Sequence, residues 1–373
     1  MKKVLFVLNN MNIGGTEKSL LNLLDRISPV EYDVTLLLLE KTGGFMEYIP
    51  SWVHVETMGG YQLIKNQIMM PPVRVAKSYL NNHRVLEAIR IITGHIVFKV
   101  TGDRTWYFKN TLRGRRNSAK YDIAVAYAGP FDFLTVYVLY CVEAKQKVQW
   151  IHFDVNKIHF NTKMYRKLYP KFDRINVVSD EARRALIEKI PEIEPKTKTV
   201  LNTISVKQCQ AMAEMGHGFE DGYNGTRIVT VGRLAQEKGQ DIIPEIAAKL
   251  KQNGVAFRWY LVGDGKLRPV IEGECARYGV SEDVVILGTT PNPYQYLKQA
   301  DLYVQTSVHE GFCITLAEAK AFKLPIISTD CAGAHEQLDG IDRCHVVKRS
   351  AFDIYNAILD EIGNEERKEN GKK

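Results

Sequence analysis

The stretch 301–338 constrains the fold of this 373-residue chain more than any other. It reads as strand, tight loop, helix, strand and loop. Residues 302–306 are a short β-type run, and 307–311 a polar loop ending in glycine. Residues 314–322 carry the Ala, Leu, Glu and Lys content of a good helix, with Thr315 near its start. A second β run covers 324–328, and 329–333 turn the chain again. Two carboxylates flank the helix start: Glu310 in the loop and Glu318 on the helix, eight positions apart. Backbone N–H groups around 311–313 lack partners within such a helix, so they are donors for an anion or a hydroxyl. N–H donors beside two carboxylates suit a ligand with phosphate at one end and hydroxyls at the other. A sugar nucleotide has that chemistry.

The same alternation runs through the whole chain. Strand readings fall at 3–9, 32–39, 53–58, 122–126, 147–151, 174–179 and 199–202, then at 227–231, 257–262 and 284–287. Helices are expected over 241–251 and 292–300, and 353–362 is amphipathic. The first strand ends in a loop with Gly14, Gly15 and Thr16, feeding a helix whose apolar positions include Leu20, Leu23, Leu24 and Ile27. Strand, glycine loop and helix open a Rossmann-like unit, although the G-x-G-x-x-G fingerprint is absent. The glycine pair allows close backbone approach to a ligand; a plain tight turn is the alternative. The length fits two domains, 1–204 and 205–373, with glycine-bearing 214–225 the best linker candidate.

Charge is distributed unevenly. Residues 65–120 hold twelve lysines and arginines against Glu87 and Asp103, a net +10, leaving the rest of the chain at −3 of the formal +7. Their apolar residues (Val85, Leu86, Ile89, Ile92, Ile96 and Val97) suggest helices with basic faces, flanked by Trp106, Tyr107 and Phe108. Such a segment can lie on an anionic membrane surface, hold the phosphates of a lipid-linked acceptor, or form a solvated basic face. No nucleic-acid-binding motif accompanies the charge, so no nucleic-acid partner is expected. The apolar run 123–142 contains Gly129, Pro130 and Asp132 and is read as a buried strand followed by an apolar helix, not a membrane span. The apolar run at 4–8 is too short for a signal peptide. Six cysteines without a C-x-x-C pair fit a reducing cytoplasm and argue against a zinc site or disulfide framework.

Glu310-Gly311-Phe312 and Glu318 resemble the E-x7-E signature of the retaining nucleotide-sugar glycosyltransferases of family 4. Supporting stretches occur in that family's order: Gly14-Gly15-Thr16-Glu17, Trp150-Ile151-His152, Val178-Ser179, Val231-Gly232-Arg233-Leu234 with Lys238-Gly239, and Val262-Gly263-Asp264-Gly265. The resemblance implies an α/β GT-B fold: two Rossmann-like domains with parallel sheets facing an interdomain cleft, the first binding acceptor and the second the nucleoside-diphosphate sugar. It implies that Arg233 and Lys238 neutralise the departing diphosphate, in place of a metal ion. No D-x-D motif is present, so neither metal nor other cofactor is expected. It further implies that Glu310 holds hydroxyls of the transferred sugar and Glu318 those of the ribose. Gly14, Gly15, Gly263, Gly311, Phe312 and Cys313 would line the donor, and His152 would sit near the reacting sugar on the acceptor side.

The family is described as using front-face attack without a protein nucleophile. The expected activity is hexose transfer from a UDP-sugar, or another nucleoside-diphosphate sugar, to a glycan or lipid-linked acceptor. The similarity is greatest to bacterial enzymes of capsule, exopolysaccharide or lipopolysaccharide synthesis. That places the expected protein in the cytoplasm, peripheral at the inner face of the cell membrane. A GT-B sugar-nucleotide epimerase and a non-catalytic sugar-nucleotide scaffold are the alternatives. The scaffold should lack some of His152, Arg233, Lys238, Glu310 and Glu318, and all five are present.

Overall fold

The computed structural model describes residues 1–310, 312–331 and 333–370, the backbone alone over 364–370. The chain divides into two compact units, Met1–Asn12 with Thr16–Leu201, and Ile13–Gly15 with Asn202–Lys373.

The first unit runs β1 (Lys2–Leu8), α1 (Gly15–Leu24), β2 (Tyr32–Leu38), β3 (His54–Thr57), then four helices, α2 (Tyr61–Met69), α3 (Pro72–Asn81), α4 (Val85–Thr101) and α5 (Thr105–Thr111). It continues with β4 (Lys120–Gly129), α6 (Asp132–Cys141), β5 (Glu143–Ile151), α7 (Thr162–Leu168), β6 (Arg174–Val177), α8 (Asp180–Lys189) and β7 (Thr197–Thr199). Among the described residues these strands make a seven-stranded sheet, ordered β3-β2-β1-β4-β5-β6-β7 and parallel throughout. Parallel strands need crossovers, and helices on both faces bury them twice over. This is why β1 and β2 read as largely apolar runs, Val4–Leu8 and Val34–Leu38 being buried, with Thr35 the one polar residue among them. The apolar run at 123–142 is the strand β4 and the helix α6, as its composition requires. No helix among the described residues is long and apolar enough to cross a membrane.

The second unit runs α9 (Val206–Glu214), β8 (Thr226–Val231), α10 (Ile243–Gln252), β9 (Phe257–Val262), α11 (Arg268–Tyr278), β10 (Val284–Gly288) and α12 (Tyr294–Leu297). It ends with β11 (Leu302–Gln305), α13 (Ile314–Ala321), β12 (Ile326–Thr329), α14 (Ala334–Leu338), β13 (Cys344–Val347) and α15 (Ala351–Asn370). Its parallel sheet has six strands among the described residues, in the order β10-β9-β8-β11-β12-β13. Successive residues feed opposite cores. Ile228, Leu261, Val304 and Ile327 pack on the side that buries Ile246 of α10 and Ile354 of α15. Their neighbours Val229, Tyr260, Tyr303 and Ile326 pack with Met212 of α9 and Leu316 of α13. The period of two, with both faces apolar, is a strand covered on both sides.

The glycine-bearing stretch 214–225 is not the boundary between units. It belongs to the second unit, where the Gly218 and Phe219 N–H groups donate to Gln295 and Gln299 at 3.3 and 3.0 Å, and Asp221 pairs with Arg227 and Arg258. Gln295, Gln299 and Arg258 are distant in sequence, so composition alone reads the stretch as loose. The Asp221 carboxyl is held at a pKa far below its ordinary value: desolvation opposes the shift, and hydrogen bonds from Tyr260 and Arg258 overcome it.

Candidate functional site

In the second sheet the chain builds outward from β8 to β10, then returns to the other side of β8 with β11. The order therefore reverses between β8 and β11. The loops leaving the carboxyl ends of these adjacent strands diverge there and open a crevice where open α/β sheets bind ligands. Those loops are 232–241 and 306–313, and each delivers one charged side chain to the same point. Lys238 Nζ donates to Glu310 Oε1 at 2.5 Å, and Ser307 Oγ donates to the same oxygen at 2.7 Å. The lysine and glutamate side chains are 25% and 10% exposed, so the pair is largely withdrawn from water yet reachable from one side. Burial works against the charge on Lys238, but the adjoining carboxylate more than offsets it. The lysine pKa stands above its ordinary value, and the ammonium is fully charged at neutral pH.

A second set of bonds fixes the two loops to each other. Thr306 Oγ1 donates to the Lys238 carbonyl at 3.0 Å, and the Val308 N–H to that of Glu237 at 2.9 Å. Arg349, beyond β13, donates from Nε to the Thr306 carbonyl at 3.2 Å and from Nη2 to Gly239 at 3.3 Å, while pairing with Asp241 at 2.9 Å. Gly239 has φ +62°, and a Cβ there would lie 2.4 Å from the Thr306 carbonyl oxygen. The loops meet this closely because glycine is at that position.

The other expected donor residues have partners of their own. Arg233 is exposed, and its guanidinium pairs with Glu237. Glu318 is buried on α13, where the Tyr294 hydroxyl donates to its Oε1 at 2.7 Å. Burial, and then the carboxylate charge, push the Tyr294 pKa well up, so the phenol remains a donor. Phe312 and Cys313 are buried at the start of α13, Cys313 in the left-handed region at φ +56°. Gln337 donates to the Phe312 carbonyl, and the Cys313 and Cys331 sulfurs lie 3.4 Å apart. Gly311 lies outside the described residues. Gly263 follows β9, where a Cβ would meet the Gly232 carbonyl oxygen at 2.0 Å. Its bareness thus serves the packing of two loops against each other. Among the described residues no three His, Cys, Asp or Glu side chains gather as metal ligands.

Gly14 precedes α1 and Gly15 opens it, and both belong to the second unit. His152 follows the carboxyl end of β5, its N–H bonded to the Gly129 carbonyl at 3.0 Å. Its ring lies parallel to Trp150, 9° between planes, and 4.6 Å from the Tyr127 centroid. Burial pushes its pKa down to about 3, so the imidazole is neutral at physiological pH. Its Nε2 is buried with no hydrogen-bond partner among the described residues. Leaving such an atom unpaired costs on the order of 1–3 kcal/mol, a cost that a bound hydroxyl would remove.

Reading the sequence missed Ser307, Tyr294 and Arg349 as site-building residues. Ser307 had a signal, three positions before Glu310 in the organising loop. Arg349 had none, because its contact with Gly239 closes 110 residues of chain.

Comparison with known proteins adds a family match over part of the chain. Residues 223–373 match the family described as Glycosyl transferases group 1. The uncharacterised glycosyltransferase MJ1059 of Methanocaldococcus jannaschii is 26% identical over 45% of this chain and 42% of its own length. The N-acetylgalactosamine-N,N'-diacetylbacillosaminyl-diphospho-undecaprenol 4-alpha-N-acetylgalactosaminyltransferase of Campylobacter jejuni is 26% identical over 47% of this chain and 46% of its own. The matched region thus spans under half of either relative. HepE of Anabaena, solved with UDP and glucose, superposes with a TM-score of 0.70 at 17% identity, over 97% of this chain and 90% of that one. The architecture, two α/β units each on a parallel sheet, is the GT-B fold. The match to the glycosyl transferases group 1 family covers the part of the chain that carries Lys238, Glu310 and Glu318.

Proposed function

We propose that the protein is a retaining glycosyltransferase of family 4 that moves a hexose from a nucleoside-diphosphate sugar, a UDP-sugar first among them, to a glycan or lipid-linked acceptor in bacterial surface polysaccharide synthesis. The observation that carries this reading is the Lys238–Glu310–Ser307 cluster at the strand-order reversal of the region matching the group 1 family. HepE in complex with UDP and glucose shares the fold, and the Campylobacter relative's name describes a sugar acceptor on diphospho-undecaprenol.

Departure of the nucleoside diphosphate is the difficult event, so charge on the leaving phosphate is what the site must stabilise. Lys238, kept protonated beside Glu310, supplies a fixed positive charge. Arg233 would turn from Glu237 onto the diphosphate and add a two-pronged contact. These cations take the place of a metal ion. Glu310 already accepts two hydrogen bonds on Oε1, which suits it to orienting a sugar hydroxyl and makes it a poor nucleophile. The acceptor therefore attacks from the side of the leaving group, whose phosphate oxygen helps to take its proton. Glu318, oriented by Tyr294, receives the ribose hydroxyls. Backbone N–H groups at Phe312 and Cys313, with Gly14, Gly15 and Gly263, would complete the donor's surroundings. His152, neutral and with an unpaired Nε2, is suited to bonding a sugar hydroxyl.

The direct test is a thermal-shift series with UDP-, GDP-, ADP- and dTDP-sugars, run in EDTA, on the wild type and Arg233→Ala. A UDP-sugar should raise the wild-type midpoint by mass action and shift the variant less. No shift with any donor would overturn the reading. A shift that required added magnesium would overturn its metal independence.

A further inference from the structure

Cys313 and Cys331 are free thiols on neighbouring segments of the second unit, buried together with their sulfurs 3.4 Å apart. Cys313 stands just before α13, and Cys331 two residues beyond β12. The two segments pack closely. Gly333 has φ +79°, and a Cβ there would lie 3.1 Å from the Phe312 carbonyl oxygen. From α14, Gln337 Nε2 donates to the Phe312 carbonyl and, at 3.4 Å, to that of Cys313. The end of β12 is also tied to the charged cluster. Thr329 Oγ1 donates to the Ser307 carbonyl at 2.6 Å, and Ser307 in turn donates to Glu310. Both thiols lie within electrostatic reach of the Lys238 ammonium.

We propose that Cys313 and Cys331 are an oxidation site, joined by hydrogen peroxide in a reversible disulfide that disarms the charged cluster beside them. Cys331 is 7% exposed and Cys313 3%, so peroxide reaches Cys331 first. The Cys331 sulfur attacks one peroxide oxygen and the O–O bond breaks. Cys331 becomes a sulfenic acid, and the departing hydroxide takes the thiol proton as water. The Cys313 sulfur then attacks the Cys331 sulfur and the S–O bond breaks. The second hydroxide leaves as water with the Cys313 proton. Two thiols and one peroxide thus give one disulfide and two waters. Burial holds the Cys313 thiol well above its ordinary pKa, which suits it to the second step and not to the first. Thiol reductants reverse the bond by exchange. A covalent S–S bond is about 2.0 Å long, so the sulfurs must close by roughly 1.4 Å. The segments that carry them are already in contact beside Gly333, so the start of α13 has to shift, and Thr329 links that movement to Ser307 and Glu310. Formation of the bond does not depend on sugar transfer; its effect on donor binding rests on the function proposed above.

The test treats the full-length protein with hydrogen peroxide and digests it with trypsin without reduction. Tryptic peptides 299–320 and 324–343 carry one cysteine each, so the bond joins two defined masses. The linked pair should be the main cysteine product, and dithiothreitol should separate it. Hydrogen exchange in peptide 299–320 should change on oxidation of the wild type and stay constant in Cys331→Ser and Cys331→Ala. Affinity for a UDP-sugar, read by titration, should fall at least about fivefold on oxidation and recover with dithiothreitol. Both variants should bind the donor as the reduced wild type does, with or without peroxide. Thermal melts check their folding, and either one suffices. Three results would overturn the proposal. One is the absence of linked peptides while other cysteines are oxidised. Another is a linked pair with exchange and affinity unchanged. The third is a loss of affinity on oxidation that persists in the Cys331 variants. If the reduced protein binds no donor, the transferase reading falls, and the linked peptides and their exchange still decide the cysteine pair.

Discussion

At the scale of single residues, the charged pair and the buried histidine make opposite demands on their surroundings. Lys238 is kept charged by a carboxylate, and in the proposed mechanism its removal deletes the positive charge that stabilises the leaving phosphate. Lys238→Ala and Glu310→Ala should each lower turnover on the order of 100-fold with the fold intact, measured as kcat with saturating donor. Near-normal turnover in either would refute the site. His152 is kept neutral by burial, which gives a separate signature in stability. Between its ordinary pKa near 6.5 and its folded value of about 3, the unfolded chain binds a proton that the folded one refuses. Stability therefore rises with pH across that window, by up to about 1.4 kcal/mol per pH unit, and the contribution is flat above pH 7. Chemical denaturation from pH 4 to 7 should show a shallower slope in His152→Gln than in the wild type. The motif pattern made Lys238, Glu310 and His152 legible as candidates. It did not show that the first two touch across 72 positions of chain, nor that Trp150 and Tyr127 enclose the third. Contact and desolvation are properties of the folded chain, and a motif records only the residues.

At the scale of elements, the carboxyl-end loops work because they are bonded to one another. Gly239→Ala would strain a left-handed position, at about 1–2 kcal/mol, and drive a methyl group against the Thr306 carbonyl. Arg349→Ala would remove the staple between the same loops. Both variants should weaken donor binding in a titration, Arg349→Ala on the order of tenfold, while far-ultraviolet circular dichroism stays unchanged, since neither residue supports a strand. Equal donor affinity in both would mean that the loops hold their shape without these contacts. Strands were the most legible elements, because a strand covered on both faces must be apolar throughout. Helices were less so. Only Ile271 and Cys275 of α11 are buried, too sparse a stripe to announce a helix. The expected helix over 292–300 shrinks to Tyr294–Leu297, where Pro293 occupies the cap. On α4 the error was one of face: an aliphatic stripe normally points inward, and here Ala88, Ile91 and Gly94 take that role.

At the scale of the whole molecule, each unit has its own sheet, and protection should grade outward from the middle of each. The slowest amide exchange is expected in β1 and β4 and in β8 and β11, and the fastest among strands in β3, whose residues are largely exposed. Exchange fastest at the sheet centres would contradict the strand order. The two-unit α/β plan was legible because strands and helices alternate along the chain; strand order was not, since it is set by pairings between distant segments. One of those pairings also governs the protein's birth. Val4 on β1 is register-matched to Ile123 on β4, so the first sheet cannot close at its centre until nearly 130 residues have been made. At ribosomal speeds of about 5–20 residues per second, the oily β1, paired on one edge with β2, waits roughly 6–25 s for this second partner. In the second unit the corresponding pairing, Leu302 on β11 with Ile228 on β8, closes across 74 positions of chain. A nascent chain of this protein should therefore engage chaperones while its first third is emerging, and need them less by the time the loops of its second unit are translated.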